Sequence, residues 1–290
     1  MSSESHFLAV ETGGTKLLAR LVRGDAVVAE ERWPTTTPAS AEAALVAFAG
    51  AVPVAGIGIA AFGPIVVDPA AANYGEVLAT PKPGWTGANL RKLLSERLGA
   101  PAAVDTDVNL AAVAEQRHGA GQGCASVAYV TIGTGIGAGL AREGRTLVGA
   151  LHPEMGHVPV LRLAGDETRS GCPFHASCAE GMAAGPGVQA RLQGRKLEDS
   201  PADFAAVADY VGQLFATIVL AWSPHRIVAG GGVLGVRGLR EAAAVRMTAA
   251  LGGYGVGAAA QAAGFVAAPK LEHAGLEGAL LLARTAAKAV

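Results

Sequence analysis

Two short stretches of this chain look alike and lie far apart, and together they limit the folds open to it. Near the start, FLAV (7–10) reads as a buried strand, ETGGTK (11–16) as a glycine turn and LLARLV (17–22) as a second strand. Downstream, VAYVTI (127–132) is again a strand, GTGIGAG (133–139) again glycine-rich, and a second apolar segment follows. A shift of 122 residues pairs Thr12–Gly13 with Thr134–Gly135 and Leu18–Ala19–Arg20 with Leu140–Ala141–Arg142. So long a period is not that of a solenoid. It indicates two similar halves, each opening with strand, glycine turn and strand. Such turns let backbone N–H groups converge on an anion, and threonine hydroxyls add donors. Two ordinary tight hairpins are the plainer alternative.

The rest of the chain alternates strand and helix. Helical spacing is found at 39–50, in GANLRKLLSERLGA (87–100), and at 202–222, 238–251 and 275–288. Strands are expected in VAGIGIAAF (54–62), at the start of AAVDTDVN (102–109) and in RIVAGGGVL (226–234), where a triple-glycine turn follows. This alternation predicts a layered α/β architecture. Gly133, Gly135 and Ala138 also fit a loose dinucleotide-binding pattern, with Glu154 near its acidic position. That pattern needs a helix directly after the turn, and IGAGLAREGRTLVGAL (136–151) reads instead as strand, turn at Glu143–Gly144, and short strand.

Composition narrows the class. Of the 290 residues 51% are hydrophobic and 16% charged, enough for a large core, while only 5% are aromatic, so alanine, valine and leucine must fill it. A net charge of -1 without basic runs argues against nucleic acid as the main partner. The start, MSSESHFLAVETGG, has no cationic export segment, and VAGIGIAAFGPIVV (54–67) is shorter than a membrane span and broken by glycine and proline. With three cysteines, a reducing cytoplasmic location is expected and no membrane partner.

Two clusters carry chemistry. DTDVN (105–109) sits where a strand passes into a helix, the sheet edge at which α/β folds place ligands. A carboxylate there lies near a positive helix terminus and can serve as a base, and Asp or Thr is expected as the cap. The second cluster is HPEMGHVPVLRLAGDETRSGCPFHASC (152–178), which holds five of the ten cysteine and histidine residues. Cys172-x-x-His175-x-x-Cys178 has metal-knuckle spacing, and His157 or His152 can supply a fourth ligand. Two thiolates and two imidazoles would close a tetrahedral zinc site of structural kind. Glu154, His157 and Glu180 flank it and suit recognition of vicinal hydroxyls. Cys124, in GQGCAS, reads as an ordinary small residue.

Taken together, ETGGTK, AAFGPI, TPKPGW, DTDVN, TIGTGIGAG, HPEMGH, CPFHASCAEGMAAGP and IVAGGGV resemble the ROK sugar kinases, and among them the bacterial fructokinase branch, across essentially the whole chain. The resemblance implies an actin-like, duplicated fold of two RNase H-like α/β domains with an interdomain active-site cleft. A small domain would span 1–106, completed by the C-terminal helix 276–290, and a large one 107–275, carrying the zinc loop 152–178. It implies ATP- and Mg2+-dependent phosphorylation of a hexose, D-fructose to fructose 6-phosphate first, with a glucokinase- or mannokinase-type enzyme or a non-catalytic sugar-responsive regulator as alternatives, and it implies a homodimer.

By position, the resemblance gives Gly13, Gly14, Thr15 and Lys16 the first phosphate loop and Thr134 with Gly135 the second. Gly230, Gly231 and Gly232 would meet the adenosine end, with Pro186 nearby. Asp107 would be the general base, and Gly63, Glu154, His157 and Glu180 would contact the sugar. His157 would also join Cys172, His175 and Cys178 on structural Zn2+. Glu11 in place of aspartate, Thr106 in place of asparagine, and a knuckle poorer in cysteine depart from the glucokinase pattern and fit the fructokinase branch. Glu272–His273 is less typical of the family.

Overall fold

A computed structural model describes residues 5–255 and 257–288. Its elements begin with β1 (His6–Thr12), β2 (Lys16–Arg23), β3 (Ala26–Pro34), α1 (Pro38–Ala49), β4 (Val54–Ala61), α2 (Leu90–Leu98), β5 (Ala102–Thr106) and α3 (Asp107–His118). There follow β6 (Ser126–Ile132), β7 (Ile136–Arg142), β8 (Arg145–Thr146), a 3-10 turn (Met155–His157), α4 (Ala179–Ala183), α5 (Gly185–Leu192) and α6 (Pro201–Trp222). The last are β9 (Arg226–Gly230), α7 (Leu239–Ala250), α8 (Gly257–Ala260), β10 (Val266–Ala267) and α9 (Ala274–Ala286). Two units result: Met1–Ala114 with Thr146–His152 and Glu272–Val290, and Glu115–Arg145 with Pro153–Leu271.

The two halves do repeat. One sheet runs β3-β2-β1-β4-β5 and the other β10-β9-β6-β7-β8, the same order of equivalent strands. In each, the opening strand pairs antiparallel with the next and parallel with a later one, β4 or β9. The 122-residue shift, however, is not the register of the ladders. Thr12 pairs with Leu17 and Ile132 with Ile136, so equivalent positions lie 120 apart on the first strands and 119 on the second. The first turn is one residue longer, and the local identities in the sequence come from similar composition, not from equivalent places.

In the first unit the strand β4, VAGIGIAA, explains how the sheet is covered. Side chains of a strand alternate between faces. Ile57, Ile59 and Ala61 join Leu8, Val10, Leu45, Leu94 and the fully buried Trp85 in one core. Ala60 joins Ala9, Leu110, Leu276 and Ala279 on the other face. On that second face the glycines let α9 come very close. A Cβ on Gly58 would lie 1.9 Å from the Ala279 carbonyl oxygen, and one on Gly56 2.3 Å from that of Ala283. In return, a Cβ on Gly278 of α9 would lie 2.1 Å from the Leu110 carbonyl oxygen of α3. Large residues thus fill one side of the sheet and backbone-to-backbone contact the other.

The second unit is built around α6. Its buried residues Val207, Tyr210, Val211, Leu214, Phe215 and Ile218 follow helical spacing and pack with Ala128, Val130 and Ile132 of β6. Among the described residues α6 is the helix long and apolar enough to cross a membrane by length and composition, and most of that stretch is buried within the protein. After Gly135 the chain enters β7, not a helix, and Glu143 and Gly144 both take positive φ, 52° and 76°, in the turn to β8. The dinucleotide pattern therefore lacks its helix here. No clear period marks β3, α4 and α5 in the sequence: Val27 and Val28 of β3 are exposed like Glu30, Glu31 and Arg32, and α4 and α5 are only five and eight residues long.

The contact between β4 and α9 yields a test. Gly58→Ala should destabilise the protein by about 3 kcal/mol or prevent folding, because backbone and not a flexible side chain must give way. Ala60→Gly, on the same face, should cost only about 1 kcal/mol. Urea unfolding of both variants would check the contrast.

Candidate active site

Parallel pairing of β1, β4 and β5 sets Thr12 opposite Ala61 and Ala61 opposite Thr106. All three strands end there, so the residues that follow them share one sheet edge. These are Gly13–Gly14–Thr15 leading to Lys16, then Phe62 and Gly63, and then Asp107. Phe62 N–H donates to the Thr12 carbonyl at 3.0 Å, which ties the second loop to the first. The peptide between Gly63 and Pro64 is cis. The first turn is closed by Gly13 N–H donating to the Lys16 carbonyl at 2.7 Å, and its Gly13 carbonyl accepts from the Thr35 hydroxyl at 2.9 Å. Lys16 lies 3.8 Å from Glu11.

DTDVN separates into three different tasks. Thr106 is the helix cap, its hydroxyl oxygen accepting from Asn109 N–H at 3.2 Å. Asp105 is buried and saturated: it accepts from Thr106 N–H, the Asn109 amide and the Thr146 hydroxyl, each at 2.7 Å. Burial raises its pKa and those three donors oppose the rise. Asp107 opens α3, half-buried, with one carboxylate oxygen accepting from Val108 N–H at 2.9 Å. Of the two aspartates, Asp105 is taken up by structure.

The second unit assembles a different group. At the end of β6 the turn Gly133–Thr134–Gly135 receives Gly185 N–H on the Gly133 carbonyl at 2.7 Å. Thr131 pairs with Gly230, so the glycines after β9 lie beside it. Gly231 has φ 95°, and a Cβ there would fall 2.4 Å from the Ile132 carbonyl oxygen, so only glycine fits. Gly133, Thr134, Gly185, Pro186, Gln189, Gly232 and Val233 line one open cavity of about 430 Å³. Thr134, Pro186 and Gly232 are thereby brought together, with Gly135, Gly230 and Gly231 in the adjoining turns. Gln189 was not singled out from the sequence, since nothing distinguishes a lone glutamine on an unrecognised helix.

Glu180, in the first turn of α4, reaches the same turn, accepting from Ile136 N–H at 2.9 Å. Its other oxygen lies 4.0 Å from His157 Nε2. Glu154 immediately precedes the 3-10 turn that carries His157. The other ring nitrogen, His157 Nδ1, lies 3.7 Å from Cys172 Sγ and 4.0 Å from Cys178 Sγ, while His175 Nδ1 is 3.6 Å from Cys172 Sγ. Ligand atoms of His157, Cys172, His175 and Cys178 all lie within 4.8 Å of one another. Such separations suit the edges of a tetrahedron with Zn–N of about 2.0 Å and Zn–S of about 2.3 Å, and two thiolates with two imidazoles are a borderline-soft set that favours zinc. Without metal, burial pushes the Cys178 thiol up to about 11, with the Cys172 sulfur adding to the rise.

His152, the other histidine considered for this cluster, is employed elsewhere. It is buried and its Nε2 accepts from Ile65 N–H at 3.1 Å, next to the Gly63 loop. The tail of the metal loop is held by Asp166, which accepts from Arg191 and Tyr210 at 2.5 Å each. Burial works against its charge, but those bonds and Thr168 hold its carboxyl far below the usual range. Cys124 is half-buried and unpaired in a disulfide.

The sequence pattern of the ROK family matches residues 7–286. A fructokinase from Pediococcus pentosaceus is 37% identical over 250 residues, spanning 85% of this chain and 86% of that one. A fructokinase from Zymomonas mobilis is 39% identical over 242 residues, spanning 79% and 80%. Among solved structures, the ROK hexokinase from Thermus thermophilus is similar with a TM-score of 0.80 at 27% identity, over 98% of this chain and 100% of that one. A family match that runs through both sheets, with relatives sharing more than a third of their residues over most of its length, makes this chain a member of the ROK family.

Proposed function

We propose that this protein is an ATP-dependent hexose kinase that converts D-fructose to fructose 6-phosphate. The observation that carries the reading is the sheet edge of the first unit, where a glycine turn, the Gly63 loop and Asp107 follow three strands that end in register. The fructokinases among its relatives support fructose as the sugar. Asp107 accepts the proton of the sugar's primary hydroxyl as that oxygen bonds to the γ-phosphorus. The bond from phosphorus to the bridging oxygen breaks, and ADP leaves with its electron pair. Asp105 cannot take this part, being buried among three donors.

Backbone N–H groups of Gly13, Gly14 and Thr15, with Lys16, hold the phosphates from the first turn, and Thr134 and Gly135 from the second. Gly230, Gly231, Gly232 and Pro186 receive the adenosine end. Magnesium, bound with ATP, neutralises phosphate charge. Glu154, Glu180, His157 and Gly63 recognise the sugar. His157, Cys172, His175 and Cys178 would hold a zinc ion, which would stiffen the 152–178 loop, while His157 Nε2 lies on the Glu180 side. A cytoplasmic homodimer without nucleic-acid or membrane partner completes the proposal.

Asp107→Asn should lower kcat by about 10²–10⁴-fold, with the fructose KM moving less than about threefold. Coupled ADP release across fructose, mannose and glucose checks both the variant and the sugar. Turnover of glucose above fructose would favour a glucokinase-type enzyme, and no ADP release with any hexose would favour a sugar-responsive regulator.

Zinc binding should release about two protons per ion at neutral pH, because both ligand thiols must ionise. Affinity should therefore rise with pH, and calorimetry in two buffers of different ionisation enthalpy measures the release. Chelation should lower the melting temperature and raise the fructose KM while the ATP KM stays within about twofold.

A further inference from the structure

The motif TPKPGW (80–85) carries the family resemblance, yet the reaction described above gives it no part. Its frame is fixed. Trp85 is 1% exposed, its indole N–H donates to the Thr36 carbonyl at 2.7 Å, and its ring meets Phe62 edge-on at 5.0 Å. Trp85 N–H in turn donates to the Lys82 carbonyl at 3.2 Å, and prolines on both sides of Lys82 restrict φ. From this frame the Lys82 ammonium donates to the Gly14 carbonyl and lies 5.1 Å from the centre of the Phe62 ring. Gly14 belongs to the first glycine turn and Phe62 directly precedes Gly63. The cation is thus delivered between the first two of the three segments that leave the sheet edge abreast, Asp107 opening the third.

Its partners are neutral. Lys16 has Glu11, and Arg20 has Glu30 and Glu277, but among the described residues Lys82 has no carboxylate within 4.0 Å. Partial burial without an anion lowers its pKa. An ammonium bears three donors, and one carbonyl and one ring face leave capacity for an anionic oxygen. Charge held ready at the place where negative charge develops is a strong source of rate.

We propose that Lys82 is a catalytic residue of phosphoryl transfer, its ammonium binding an oxygen of the γ-phosphoryl group as that group passes to the sugar. This rests on the kinase reading above. Lys82 keeps its proton throughout; the hydroxyl proton goes to Asp107 and the bridging electron pair to ADP.

Lys82→Gln separates charge from tethering, since the amide can still donate to the Gly14 carbonyl. With fructose and ATP it should lose about 100-fold in kcat, keep both KM values within about threefold, and melt as the unaltered protein does. Lys82→Arg should recover at least about a tenth of the lost turnover. A Lys82→Gln enzyme with near-normal kcat would show that Lys82 only latches the turn and would overturn the proposal. So would a loss accompanied by a lowered melting temperature, or Lys82→Arg failing as fully as Lys82→Gln. If the unaltered protein releases no ADP with any hexose, the kinase reading fails; if it turns over and Lys82→Gln does too, only Lys82 falls.

Discussion

Everything at the candidate site of the first unit depends on three parallel strands stopping abreast. Thr12, Ala61 and Thr106 are ladder partners, and each is the last residue of its strand. Parallel pairing offers no freedom of one residue here, because a slip would exchange the faces of β4 and put isoleucine against α9. The same alternation that packs the core therefore fixes where the glycine turn, the Gly63 loop and the start of α3 emerge. Site geometry and core packing are two results of one register.

Much of this was legible in the residues. The hairpins, the turn at Glu143–Gly144, the three long helices and the α/β layering follow from periodicity and glycine placement, and the family resemblance predicted the duplicated fold. What could not be read was register. Local identities suggested a 122-residue repeat, whereas the ladders repeat at 120 and 119, since turn length is decided by pairing across the hairpin and not by similarity along the chain. Nor could residue type divide the labour within DTDVN, where only the family resemblance singled out Asp107. Asp105 and Asp107 are the same residue two places apart, and it is the donors Asn109 and Thr146 on Asp105 that tell them apart in the fold. Lys82 was hidden for a like reason, since its partner Gly14 is 68 residues away.

The stretch 152–178 shows how one loop can be given several anchors of different kinds. Cysteine and histidine gather at one point, Asp166 ties the tail to Arg191 and Tyr210, and Arg162 donates to the carbonyls of Asp166, Thr168 and Ala176. Spacing suggested Cys172, His175 and Cys178 of the first of these, because metal ligands recur at short intervals, and the family resemblance supplied His157. The arginine and aspartate anchors follow no interval, and they were invisible until the fold brought α5 and α6 alongside.

The close approach of α9 to β4 bears on how the polypeptide is made. The glycine face of the first sheet is covered by a helix encoded at the far end of the chain, residues 274–286. Before α9 is translated, Gly56 and Gly58 lack the helix that packs on them, although the opposite face already has α1 and α2. The first sheet therefore stays partly unclad on that face until residues 274–286 have emerged.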